Sequence, residues 1–180
     1  MVWDGVTGRL KRIFSGHTDF VNSVSVSADG RLLASGDAAA SILVWDITTG
    51  QLLYTLRGHA NEVNSVVFSP DGKLLASAGE DGKVFLWDMA LGRQTAALEG
   101  QQAPVRSLVF SRDGALLAGG ASDWKVEVWD MATRKVSLEL AVSTTAVNAL
   151  AFDGSNLSQL FVGTQESRVL SAHVARNPVR

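Results

Sequence analysis

The dipeptide Trp-Asp occurs at Trp3-Asp4, Trp45-Asp46, Trp87-Asp88 and Trp129-Asp130, and each copy follows the last by 42 residues. Gly-His repeats on the same lattice at Gly16-His17 and Gly58-His59, and the next place carries Gly100-Gln101. Asp-Gly repeats at Asp29-Gly30, Asp71-Gly72 and Asp113-Gly114. A fixed period of this length means that one supersecondary unit is used several times and that each unit buries its faces against its neighbours.

The pattern within a period is β. From Val63 to Ser69 the residues are rich in strand formers, and the run ends at Pro70-Asp71-Gly72, a turn sequence with glycine available for positive φ. Leu74 to Ala78 reads as a second strand, Glu80-Asp81-Gly82 as a turn, and Lys83 to Asp88 as a third strand. In the third strand Val84 and Leu86 alternate with Phe85 and Trp87. Gln94 to Glu99 reads as the fourth. No segment has a helical period. The expectation is an all-β chain of about four four-stranded antiparallel units, with strands a, b, c and d in order.

Gly-His, an Asp-Gly turn, and an Asp six residues before Trp-Asp together resemble the WD40 repeat, most cleanly over Gly58 to Asp88. The resemblance implies β-propeller blades over residues 1–175, in units of about 1–16, 17–58, 59–100, 101–142 and 143–175, with a tail at 176–180. Leu33 to Asp37, Val44 to Asp46 and Ala146 to Leu150 are also loosely similar to the propeller of the WD40 subunit of TFIID. The extra unit here and the short linker after Trp129 depart from that propeller.

His59, Ser77 and Asp81 invite a hydrolase reading, but no oxyanion site accompanies them. The resemblance implies instead a buried hydrogen-bonded set, His59, Ser77, Asp81 and Trp87, tying strand to strand. Elsewhere the set decays. The first full repeat keeps His17, Ser35 and Trp45 but has Ala39 where Asp is expected. The next keeps Asp123 and Trp129 but has Gln101 and Gly119.

The resemblance also implies a docking face made by the d–a loops and b–c turns. Its variable positions include Phe20, Asn22, Glu62, Asn64, Glu80, Arg106 and Asn148. Phe20 and Arg106 are of the types that carry interface energy. The asparagines could satisfy a peptide backbone, or simply be watered polar positions. Trp124 stands in a turn where the other units have Ala40 and Gly82, so it either anchors a partner or covers a neighbouring blade.

Other signals set limits. Lys+Arg 16 against Asp+Glu 18 gives net −2, with no bias toward nucleic acid. Arg9, Lys11 and Arg12 read as a solvated strand face. His17, His59 and His173 lack metal-ligand spacing, and no cofactor motif is present. There are no cysteines and no apolar run of membrane length. These features suit an intracellular protein, cytoplasmic or nuclear, and the resemblance implies a non-catalytic scaffold that binds proteins or peptides.

The chain opens on the end of a strand c, followed by a strand d near Arg9 to Ser15, and its last unit shows no clear d. That count gives sixteen strands. It fits a piece of a longer ring, a ring shared between two chains, or a closed four-bladed ring. An open set would expose apolar surface at Val21, Val24, Val26, Leu150 and Phe152, and would favour self-association.

Overall fold

Alternating side chains, with turn residues at fixed offsets, produce strands throughout the chain. The computed structural model describes residues 1–142, 145–154, 159–166 and 168–174. Seventeen strands are present among them and no helix. A short pair, β1 (Val2–Trp3) and β2 (Leu10–Arg12), precedes three four-stranded antiparallel blades. Blade I holds β3 (Val21–Val26), β4 (Leu32–Asp37), β5 (Ser41–Asp46) and β6 (Leu52–Arg57). Blade II holds β7 (Val63–Phe68), β8 (Leu74–Gly79), β9 (Val84–Asp88) and β10 (Arg93–Leu98). Blade III holds β11 (Val105–Phe110), β12 (Leu116–Ala121), β13 (Lys125–Asp130) and β14 (Lys135–Ala141). Blade IV shows three strands among the described residues, β15 (Val147–Phe152), β16 (Gln159–Thr164) and β17 (Val169–His173). The count exceeds sixteen by one because Val2–Trp3 pairs with Leu10–Arg12 as a strand of its own.

The repeated residues make repeated local structure. At each a–b turn a serine hydroxyl (Ser27, Ser69, Ser111) donates to the Asp two residues on and accepts the amide of the leucine that opens the next strand. At each c–d turn the Asp of Trp-Asp accepts amides: Asp46 from Thr49, Asp88 from Leu91, Asp130 from Thr133. In these three copies the dipeptide therefore divides its labour, with the indole inward and the carboxylate capping the turn.

Three apolar clusters fill the spaces between blades. Ile42 and Val44 of blade I meet Val66 and Phe68 of blade II. Val84 and Leu86 meet Leu108 and Phe110. Val126 and Val128 meet Val147, with Leu150 and Phe152 partly buried beside them. The first strands lie side by side in blade order. Ser23 and Ser25 of β3 accept the amides of Val66 and Phe68 at 3.1 and 3.2 Å, and Ser65 of β7 accepts that of Leu108 at 3.1 Å. Polar links thus run through an otherwise apolar seam.

The outward face of blade I is uncovered. Val24 and Val26 are 65% and 53% exposed, whereas Val66 and Phe68, at matching places on β7, are 3% and 5% exposed. Val21 is exposed too. Leu150 and Phe152 are not, contrary to expectation. They occupy the places that face the preceding blade, so blade III covers them. Among the described residues of blade IV, the large apolar side chains left exposed are Phe161 and Val169, which occupy the opposite face.

Arg12 is not a free surface cation. Its guanidinium donates to the carbonyls of Thr49 and Thr48 at 2.8 and 3.1 Å, holding β2 against the c–d turn of blade I. Lys11 pairs with Asp4 at 2.8 Å.

Candidate functional site

Blade II holds the complete polar set. Trp87 Nε1 donates to Ser77 Oγ at 2.8 Å, Ser77 Oγ lies 2.8 Å from His59 Nε2, and His59 Nδ1 lies 3.0 Å from both Asp81 oxygens. A neutral imidazole with its proton on Nδ1 satisfies every link in one direction, from indole to hydroxyl to imidazole to carboxylate. Burial pushes the His59 pKa down, more than the Asp81 carboxylate raises it. Burial acts to raise the Asp81 pKa, but the Ala60 amide, His59 and the Lys83 amide outweigh it, and the net shift is downward. Ser77 is 0% exposed and the His59 side chain is closed off from water. A nucleophile must reach its substrate, and this hydroxyl is buried away from solvent.

Blade I departs from expectation. Its carboxylate comes from Asp37, at the end of β4, and not from the turn where Ala39 stands. Asp37 Oδ2 lies 2.6 Å from His17 Nδ1, and His17 Nε2 bonds Ser35 Oγ. Asp37 Oδ1 also accepts the Ser41 amide at 2.8 Å. The side chain reaches the histidine from the strand end and closes the b–c turn at the same time. Trp45 joins through its ring, edge-on to Phe14 and His17, and not by an indole bond to Ser35.

Blade III is rebuilt. Asp123 accepts only the Lys125 amide, at 3.4 Å, and is not brought to Gln101. Gln101 instead donates to the Gly119 carbonyl at 3.2 Å. The fully buried Trp129 sends its Nε1 to the carbonyl of Glu99 at 2.8 Å. A Cβ on Gly119 would lie 2.8 Å from the Trp129 ring, so the glycine makes room for an indole turned away from strand b. The place that holds Phe85 in blade II carries Glu127, which is buried. The mid-strand acid in Lys125-Val126-Glu127-Val128-Trp129 breaks the apolar alternation and could have marked this blade as different.

The d–a loops and b–c turns are joined at one end of the blades. The Ala38 amide bonds the Phe20 carbonyl, Glu80 bonds Glu62, and Ser122 bonds Pro104. Around them lies a shallow depression of about 340 Å³ lined by Asn64, Glu80, Arg106 and Asn148. Asn22 Nδ2 donates to the Val63 carbonyl at 3.3 Å and lies 3.5 Å from Glu62. Asn64 Nδ2 donates to Glu80 at 2.8 Å and to the Val105 carbonyl at 3.1 Å. Arg106 donates to Asn148 at 3.2 Å. Most of these groups therefore clasp one blade to the next and also line the depression. Phe20 is 82% exposed. Trp124 is 51% exposed at φ 72°, in the left-handed place that Ala40 and Gly82 fill in blades I and II.

Among the described residues no group of three or more His, Asp or Glu side chains could hold a metal ion. Among the same residues no helix is long and apolar enough to cross a membrane. A family model described as WD domain, G-beta repeat matches residues 8–46, 50–88 and 92–130. The comparison with curated proteins found no match.

Proposed function

The chain belongs to the WD40 repeat family, whose repeats generally mediate protein–protein interaction, and on that premise we propose that it is a non-catalytic scaffold docking partner proteins or peptides on the face of the d–a loops and b–c turns. The observation that carries this reading is the depression between Asn64, Glu80, Arg106 and Asn148. It combines a cation, an anion and amides on one rigid rim, and two exposed aromatic side chains, Phe20 and Trp124, stand on the same end. Aromatic anchors beside oriented polar groups are what a peptide partner needs. The buried set in blade II supports the rim and takes no part in chemistry. A cysteine-free chain suits an intracellular setting for such a scaffold.

The experiment is site-specific photocrosslinking in cells. A crosslinking residue at Arg106 should capture a discrete partner, and capture should fail when Glu80 is changed to Lys and Phe20 to Ala. A probe at Lys73, on the a–b turn at the opposite end, should capture nothing comparable. Equal capture from Lys73 would overturn the assignment of the face.

A second reading is favoured by the uncovered valines of blade I: these blades form part of a larger ring and assemble through their open edge. Removing that apolar surface from water stabilises association by ~25 cal/mol per Å², less the cost of association. Light scattering on the 180-residue chain should then report a mass above the monomer, and removing residues 1–15 should lower it. A monomer of undiminished stability would sink this reading.

A further inference from the structure

Blade III contains a carboxylate that the docking reading does not use. Glu127 is 3% exposed, and its Oε2 has no hydrogen-bond partner. It stands where Phe85 packs on His59 in blade II and where blade I has Leu43. The groups facing it come from every side. On its own strand Lys125 lies two residues away, and Asp123 precedes it in the turn. Across on β14 its direct register partner is Glu139, a like charge, already paired with Lys125 at 2.8 Å. On β12 its partner is Gly119, which brings no charge. From the strand-d side come Gly100 and Val136: a Cβ on Gly100 would collide with Glu127 Oε2 and touch Val136. Gly100, at φ 134°, therefore leaves the space that the carboxyl group fills. Just outside lies a cleft of about 540 Å³ between Glu99–Gly100 and Thr133–Val136.

We propose that Glu127 is a proton-controlled latch on the outer edge of blade III. With its proton on, the side chain is a neutral filler, and β14 and the segment at Gly100 stay seated. With its proton off, a buried charge lacks a full set of partners and is repelled by Glu139. The nearest relief is water entering from the cleft, and the nearest element that can yield is β14, the edge strand of its sheet. Burial, and then the charge of Glu139, push the carboxyl pKa from 4.5 up to about 7, so the latch works across the physiological range.

The sign is fixed by linkage. The unfolded chain loses this proton near 4.5 and the folded chain near 7. The contribution is complete below pH 4.5 and is lost as pH rises through 7. Hydrogen exchange, corrected for the intrinsic rate, should show protection across residues 135–141 falling about tenfold or more between pH 5.5 and 8.5. Strand β10, in the same place of blade II, should show no such fall as the pH rises. Glu127→Gln and Glu127→Leu should each abolish the fall. An NMR titration of the Glu127 carboxyl carbon in the wild-type chain keeps the proposal testable should either variant misfold. A midpoint near 7 supports the latch. A midpoint below 5, or a pH-dependent loss that survives in a folded variant, overturns it.

Discussion

Changing Ser77 to Ala isolates the hydrogen-bonded set of blade II with almost no change of volume. The hydroxyl is 0% exposed and lies 2.8 Å from both Trp87 Nε1 and His59 Nε2. Its removal leaves an indole N–H and an imidazole nitrogen without partners in a dry interior. Each orphaned buried group costs ~1–3 kcal/mol, and a methyl in place of the hydroxyl returns little of this. The sum is about 3 kcal/mol. With a urea m-value of ~2 kcal/mol/M, the midpoint should fall by about 1.5 M. The internal control is Ser35→Ala. In blade I only His17 loses its bond, because Trp45 is held by ring contacts, so the cost should be ~1–2 kcal/mol. The assay is urea unfolding followed by tryptophan fluorescence for both variants. A loss below ~1 kcal/mol for Ser77→Ala, or equal losses for the two, would refute the argument that one hydroxyl serves two donor–acceptor links.

Three further outcomes are expected. Gly119→Ser would restore the blade II residue type but drive a side chain into the Trp129 ring; calorimetry should show a loss of ~1–3 kcal/mol, as for overpacking. Trp124→Gly relieves a left-handed backbone at φ 72° and should raise stability by ~1 kcal/mol, while weakening partner capture if the indole is an anchor. Blade II should weaken in acid: the folded pKa of His59 lies below its ordinary 6.5 and that of Asp81 below 3.8. Stability is therefore lost as pH falls through 6.5, and again below 3.8. Amide protection in β8 and β9 should drop between pH 7 and 5, and His59→Gln should remove the first of these losses.

The lattice of Trp-Asp, Gly-His and Asp-Gly made the blades legible, because each pair has a fixed local task that survives from copy to copy. The part that was not legible depends on reach. Asp37 replaces the absent carboxylate at Ala39 because a strand-end side chain spans the same gap to His17, and no spacing rule anticipates that route. Trp129 keeps its place in the motif yet turns its indole to Glu99, because Gly119 offers space and no acceptor hydroxyl. The rim residues were readable from their places in the repeat. Their bonds to the next blade were not, since Asn22 and Asn64 find partners 41 residues away. Leu150 and Phe152 pack toward blade III, which strand position alone does not reveal, since it does not say which neighbour a face meets.

The serine and asparagine links between blades have a direction. Ser23, Ser25 and Asn22 of blade I wait for backbone groups of blade II, and Ser65 and Asn64 of blade II wait for those of blade III. Each newly made blade thus finds its template already present on the N-terminal side, about one repeat back along the chain. The search distance does not grow as the array lengthens, so synthesis and folding can advance together, one blade per step. Breaking the register at blade I, by changing Ser23 and Ser25 together, should therefore delay every later blade, whereas the same change at Ser65 should spare the first two.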